Sequence, residues 1–269
     1  MTATDTPKLE TLTFDVTNGV ATITFDRPDK RNAINQQMHA DLATVLKLVT
    51  RDRSVRAVLL TGNGAAFSAG QDLSEFVAAR NDESFRVDEH VRRTFNRIVM
   101  TLRGLELPVI AAVNGVAAGA GWSLALAADI RFASEDARFT QAFSKIGLVP
   151  DTGSTWFLPE LIGTARTLEL AFAGDIIDAQ TAHSWGLVNF VTSSDELLTS
   201  ARAYAERLAA MPTRALGLTK RAVYRATTST LEDALDYEAQ LQQAAAATDD
   251  HMEGVMAFLE KRDPVFTGR

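Results

Sequence analysis

Leu12, Phe14 and Val16 alternate with polar neighbours, and Ala21, Ile23 and Phe25 do the same beyond Asn18-Gly19. Period-two alternation across an Asn-Gly pair predicts a β-hairpin with a tight primed turn. Asn35 stands where it can cap a helix whose apolar residues, Met38, Leu42, Val45 and Val49, recur every three or four positions. An apolar strand follows over 57–61, then a second amphipathic helix carrying Val91, Phe95, Ile98 and Leu102. A strand is expected over 109–113, a helix running to about Ala128, and a short strand over 129–133. Strand and helix alternating at this spacing predict an α/β fold with a largely parallel sheet.

After about residue 192 the pattern is helical only. Leu197, Ala201, Tyr204, Ala205 and Leu208 share one face, Leu231, Ala234, Leu235 and Leu241 another, and Val255, Phe258 and Leu259 the last. We divide the chain into a core, 1–192, and a C-terminal helical region, 193–269. No low-complexity linker separates them, so the helices are expected to pack on the core or on a neighbouring subunit.

Two segments of small residues follow apolar strands. Ala65-Ala66-Phe67-Ser68-Ala69-Gly70-Gln71-Asp72-Leu73 comes after the strand at 57–61, and Asn114-Gly115-Val116-Ala117-Ala118-Gly119-Ala120-Gly121 after the strand at 109–113. Small residues let a ligand approach the backbone, and helix starts aim free N–H groups at it. Two such turns side by side would hold one developing oxyanion between two N–H donors. A dinucleotide site is excluded, because no strand-GxGxxG-helix opens the chain and no acid sits at the ribose spacing.

Composition narrows the chemistry. The 269 residues contain no Cys, so disulfides, thiolate metal sites and thiol nucleophiles are ruled out. A net charge of -7 argues against nucleic acid or an anionic membrane as partner. His39, His90, His183 and His251 show no metal-ligand spacing, and no metal is expected. The polar opening, Met1 to Pro7, has no signal-peptide core, and Phe266 to Arg269 carries no targeting box. A cytoplasmic location is expected.

Arg27-Pro28-Asp29-Lys30-Arg31-Asn32-Ala33, Phe67 to Leu73, Asn114 to Gly121 and Thr248 to Arg262 together resemble the crotonase (enoyl-CoA hydratase/isomerase) superfamily. The resemblance spans about residues 10–266, with the motifs in family order. It implies a spiral of ββα units with a C-terminal helical region, assembled as a homotrimer or a hexamer. It implies an acyl-CoA thioester substrate and no separate cofactor, the coenzyme A being part of the substrate. Carried over by position, the oxyanion hole is the N–H of Gln71 and of Ala120, flanked by Gly70 and Gly119. The adenine end lies along Ala69 to Leu73, which includes Asp72. Lys30, Arg31 and Ala33 line the CoA channel, and Phe258 and Lys261 reach it from a neighbouring subunit.

The chain departs from the hydratases of that family. The positions of their two glutamates are matched here by Ser123 and Phe143. Hydration needs a base for water and an acid for carbon, and these two side chains supply neither. Eight residues on lies Asp151, in Gly147-Leu148-Val149-Pro150-Asp151-Thr152-Gly153. That segment most resembles the isomerase branch, including the isomerases of ring 1,2-epoxyphenylacetyl-CoA in phenylacetate breakdown, where an aspartate is the sole acid/base. One carboxylate suffices to move a double bond or rearrange an unsaturated ring. An apolar lining, from Phe143 and Trp122, would desolvate Asp151 and raise its pKa.

Each residue also has a plainer reading. Asp151 and Asp72 stand where turn or helix-cap aspartates are common. Lys30 and Arg31 fit an ordinary surface loop as well as a phosphate contact. Ser123 fits a buried helix start as well as a contact to substrate, and no His stands by it to make a nucleophile. Two rival functions follow: an enoyl-CoA hydratase, and a non-catalytic acyl-CoA-binding protein. The pocket walls are expected within 75–95 and 122–156.

Overall fold

The computed structural model describes residues 8–268. Met1 to Pro7, read above as carrying no leader, and Arg269 lie outside the described residues. The chain opens with β1 (Leu12–Thr17), β2 (Val20–Phe25), α1 (Gln36–Arg51), β3 (Ala57–Gly62), β4 (Ala66–Ser68) and α2 (Leu73–Ala79). It continues through α3 (Val87–Arg93), α4 (Phe95–Gly104), β5 (Val109–Val113), β6 (Val116–Ala118), α5 (Ala120–Leu126), β7 (Ile130–Ser134) and β8 (Arg138–Thr140). Then come α6 (Ser154–Ala173), β9 (Ile177–Asp178), α7 (Ala179–Ser184) and β10 (Phe190–Thr192). Four helices close the chain: α8 (Leu197–Ala209), α9 (Thr213–Ala226), α10 (Leu231–Ala246) and α11 (Asp249–Glu260).

Six strands form one sheet in the order β1-β2-β3-β5-β7-β10, parallel apart from the β1–β2 hairpin. Asn18 and Gly19 both have positive φ, 52° and 77°, as a primed hairpin turn requires. β3, β5 and β7 each step within a few residues into β4, β6 and β8, which make a second sheet with β9. A helix or helical turn follows each pair. This repeated ββα unit is the spiral the resemblance implied, and it explains why strand-turn-helix units recur without a fixed sequence period.

β5, Val-Ile-Ala-Ala-Val, is buried along its whole length. A parallel strand covered on both faces reads as an unbroken apolar run. One face meets Met38, Leu42, Val45 and Val49 of α1 and Phe95, Ile98 and Leu102 of α4. Each such side chain contributes about 1.5–3 kcal/mol by leaving water. The other face meets Leu197, Ala201, Ala205 and Ala209 of α8. The C-terminal region thus supplies part of the core.

One element differs from the pattern. The apolar stripe from Val91 to Leu102 is not one helix, because Thr94 (φ -112°, ψ -88°) breaks it into α3 and α4. The Thr94 hydroxyl donates to the His90 carbonyl, and the β-branched side chain supports the break. Among the described residues no helix is long and apolar enough to cross a membrane.

Candidate active site

The two small-residue turns meet. Ser68 of β4 pairs with Ala117 of β6, which sets the turns after those strands beside each other. Gly121 leaves room for Ser68: a β-carbon there would stand 2.4 Å from the Ser68 carbonyl oxygen. Gly119 has φ 50° and ψ -125°, a combination open to glycine, and its N–H donates to the Thr140 carbonyl at 2.9 Å.

Backbone directions follow from the hydrogen bonds. Ile34 N–H donates to the Gly70 carbonyl (2.7 Å) and Asp72 N–H to the Ile34 carbonyl (2.9 Å). Those bonds make a one-residue parallel bridge between Ile34 and Gln71. The N–H of Gln71 therefore points away from Ile34. Ala120 is the first residue of α5, where helical N–H groups have no intrahelical acceptor.

Gln71 and Ala120 border one cavity of about 150 Å³. Ala69, Gly70, Leu73, Gly119, Phe143 and Asp151 border it too. Its apolar wall is completed by Phe76, Val87, Val91, Phe95, Ile146 and Leu148. These fall within the two stretches expected to form the walls.

Asp151 sits between the short helical turn Phe143–Ile146 and α6. It does not cap α6, whose cap is Gly153; instead its main-chain carbonyl receives the Ser154 N–H at 3.0 Å. Among the described residues its carboxylate accepts only from the Thr152 hydroxyl, at 2.7 Å. Thr152 (φ 54°) and Gly153 (φ 86°) are both left-handed, so the turn that presents Asp151 is tightly constrained. Burial pushes the Asp151 pKa above 3.8, against opposing pulls from Thr152 and His90. Among the described residues on this wall, Asp151 alone carries a carboxylate.

Other residues singled out in the sequence stand elsewhere. Ser123 is fully buried and its hydroxyl donates to the Gly119 carbonyl at 3.0 Å, so it serves the helix start and does not reach the cavity. Trp122, expected in the lining, is 1 % exposed and packs against Phe139 in the core. It points inward because α5 must bury a face against the sheet. Asp72 caps α2 through Ser74 and pairs with Arg27 at 3.0 Å. Its carboxylate faces the loop and not the cavity.

Lys30 and Arg31 are exposed, and the loop that carries them runs beside the site. The Arg31 carbonyl receives the Ala69 N–H at 2.9 Å. The Ala33 carbonyl receives Arg27, and buried Asn32 (φ 54°) donates to the carbonyls of Asn63 and Ala66. Phe258 and Lys261 lie on α11 and its C-cap, away from this cavity. Phe258 is 84 % exposed and borders a separate groove with Pro212 and Phe266.

The sequence reading missed His90. It lines the cavity, and its Nε2 lies 3.2 Å from the Gln71 side-chain oxygen. Its place beside Val91, at the start of the apolar stripe that runs on to Phe95, was the available signal. Among the described residues no group of three or more His, Cys, Asp or Glu is placed to hold a metal ion.

Residues 15–269 match the family model described as enoyl-CoA hydratase/isomerase. The 1,2-epoxyphenylacetyl-CoA isomerase of Escherichia coli K12 is 45 % identical over 97 % of this chain and 100 % of its own length. A protein of Rhodobacter capsulatus named as a probable enoyl-CoA hydratase is 40 % identical over 96 % of this chain and 98 % of its own. The crystal structure of an enoyl-CoA hydratase/isomerase from Cupriavidus metallidurans superposes with a TM-score of 0.90, at 36 % identity and 98 % coverage of both chains. With its ββα spiral and this full-length similarity, the chain belongs to the enoyl-CoA hydratase/isomerase family, the crotonase superfamily.

Proposed function

We propose that the chain is an acyl-CoA isomerase that works through a thioester enolate with Asp151 as its single acid/base. One observation carries this reading: Gln71, Ala120 and Asp151 border the same apolar cavity, with no second carboxylate among the described wall residues. The Asp151 carboxylate takes a proton from carbon, and the electron pair moves to the thioester oxygen. The N–H groups of Gln71 and Ala120 hold that oxygen as it gains charge. The protonated Asp151 then returns the proton to a different carbon. Each such N–H donor is worth about 10²–10³ in rate, and a positioned base about 10²–10⁴.

Cavity size supports a compact acyl group. An engineered apolar cavity of about 150 Å³ accepts one benzene ring, and this one is about 150 Å³. A six-membered ring carried on the thioester fits that scale, in line with the ring substrate named for the E. coli relative. The coenzyme A would follow Ala69 to Leu73 and the loop of Lys30, Arg31 and Ala33.

The apolar outer face of α11, with Phe258 and Leu259 at 84 % and 67 % exposure, suits burial against a second copy. A homotrimer or hexamer would place Phe258 and Lys261 at a neighbour's CoA channel. Light scattering on purified protein tests this, and a monomer at micromolar concentration would refute it.

The decisive assay gives purified protein a 3-enoyl-CoA, crotonyl-CoA and 1,2-epoxyphenylacetyl-CoA beside Asp151→Asn. Isomerisation that disappears in the variant, with affinity for the ester kept within a few fold, supports the reading. Hydration of crotonyl-CoA in its place would favour the hydratase, and tight binding without turnover the binding protein.

A further inference from the structure

Among the described wall residues His90 alone has a titratable ring, and the enolate scheme leaves it unused. It stands in the last turn of α3, where Thr94 fixes its backbone through the Thr94 hydroxyl and N–H. Phe85, Phe95 and His39 frame the imidazole, with ring centroids 5.7, 6.3 and 5.8 Å away. The ring is therefore held by packing on three sides.

Its polar contact is directional. The Gln71 side-chain nitrogen is turned to the Asp72 carbonyl at 3.4 Å, which leaves the Gln71 side-chain oxygen facing His90. An oxygen can only accept, so His90 Nε2–H donates and Nδ1 carries no proton. The residue gripped in this way is the one whose N–H borders the cavity beside Ala120.

The ionisable groups around the ring are few. Asp151 acts on it across the cavity, Glu75 from α2 and His39 from α1. On its own helix, Asp88 and Glu89 are engaged with Arg92 and Arg93. His39 is buried and held neutral, its pKa pushed down to about 4 by burial and then by His90. Burial also pushes His90 below 6.5, while Asp151 and Glu75 pull the other way.

We propose that His90 is a positioning residue of this site: its Nε2–H fixes Gln71 beside the thioester oxygen, and its ring sets the charge that Asp151 meets across the cavity. This rests on the isomerase reading. At neutral pH the ring is uncharged and Asp151 is a full-strength base. As the pH falls the ring gains a proton, and the new cation favours the carboxylate form of Asp151, so the base stays ionised to lower pH than it would without the ring.

Two variants separate the roles, because Gln retains a donor near the Nε2 position and Leu retains none. With 1,2-epoxyphenylacetyl-CoA or whichever ester the wild type isomerises, the acid limb of kcat/KM should move up by roughly 0.5–1 pH unit in His90→Gln. Its plateau kcat should stay within about threefold, whereas His90→Leu should lose about 10–100-fold in kcat from a loosened Gln71. An acid limb unmoved in His90→Gln, or a full plateau rate in a folded His90→Leu, overturns the proposal. If His90→Leu does not fold, the limb of His90→Gln still decides. Asp151→Asn run in parallel keeps the two ideas apart: turnover surviving in that variant defeats the isomerase mechanism itself, while turnover lost there with an unmoved His90→Gln limb defeats only the role of His90.

Discussion

Gly70 packs so closely on Ala120 that a β-carbon added to it would stand 3.3 Å from the Ala120 nitrogen, and 2.7 Å from the Ala118 carbonyl oxygen. Both contacts are backbone, so neither turn can yield cheaply. Gly70 also holds φ +87°, which side-chain-bearing residues rarely adopt. Gly70→Ala should push the two turns apart and misplace one of the two N–H groups proposed to hold the thioester oxygen. Expected losses are about 10²–10³ in kcat and about 1–3 kcal/mol in stability. Steady-state kinetics and a urea melt check both, and a fully active, stable Gly70→Ala would show that the turns are not held as described.

Asp151 should make the fold less stable than it could be at neutral pH. Its folded-state pKa is raised, so its contribution favours folding below pH 3.8 and is lost as the pH rises through the folded value. Above that value the half-buried carboxylate is charged in an apolar wall. Asp151→Asn should therefore raise Tm at pH 7 and give no gain near pH 3, while removing turnover. Melting curves at the two pH values test this. A Tm at pH 7 equal to or below wild type would mean that the carboxylate is better solvated than its surroundings imply.

Much of this was legible in the residues. β5 announced itself as a run with no polar residue, and Asn18-Gly19 fixed its hairpin by the φ signs it tolerates. The two small-residue turns marked where the site lies, but it was the resemblance to the crotonase family that singled out Gln71, Ala120 and Asp151, which the structure brings to one cavity. Trp122 misled because a tryptophan after a glycine-rich turn gives no sign of which way its helix will face. His90 was overlooked for a related reason: its partners, Gln71, Asp151 and His39, are 19, 61 and 51 residues away in sequence. The break at Thr94 was invisible too, since the apolar spacing runs through it unaltered.

The loop that carries Lys30 and Arg31 should be sensitive to acid through Asp72. Burial pushes the Asp72 carboxyl up, but the Ser74 hydroxyl, Arg27 and the Glu75 N–H more than offset it, leaving the pKa below 3.8. A depressed pKa contributes stability that is present above the unfolded value and lost as the pH falls through the folded one. Asp72→Asn keeps a cap of equal quality for α2 and removes only the ion pair to Arg27. Asp72→Ala removes both, at about 0.5–2 kcal/mol for the cap alone. The Ala variant should also weaken binding of a CoA ester more than it lowers kcat, since Asp72 faces the loop. Equal KM in wild type and Asp72→Ala would separate that loop from ligand binding.

The attachment of α9 rests on another buried charge. Lys220 and Tyr224, both on α9, converge on Asp129, which also receives the Val109 N–H. Lys220 donates besides to the carbonyls of Leu102 and Leu107, tying α9 to the end of α4. Arg103 lies over the Tyr224 ring. Tyr224→Phe removes one hydrogen bond to a charged group and should cost about 1.5–3 kcal/mol. Asp129→Ala leaves Lys220 buried without its counter-ion and should cost about 3–5 kcal/mol. The double variant should fall short of the sum, because both changes act through the same carboxylate. None of these residues borders the cavity, so kcat should hold wherever the variant stays folded. Urea melts of the four proteins measure the coupling. Strict additivity would mean that Tyr224 and Asp129 stabilise the fold independently, and a fall in kcat without unfolding would mean that α9 reaches the site by a route this packing does not contain.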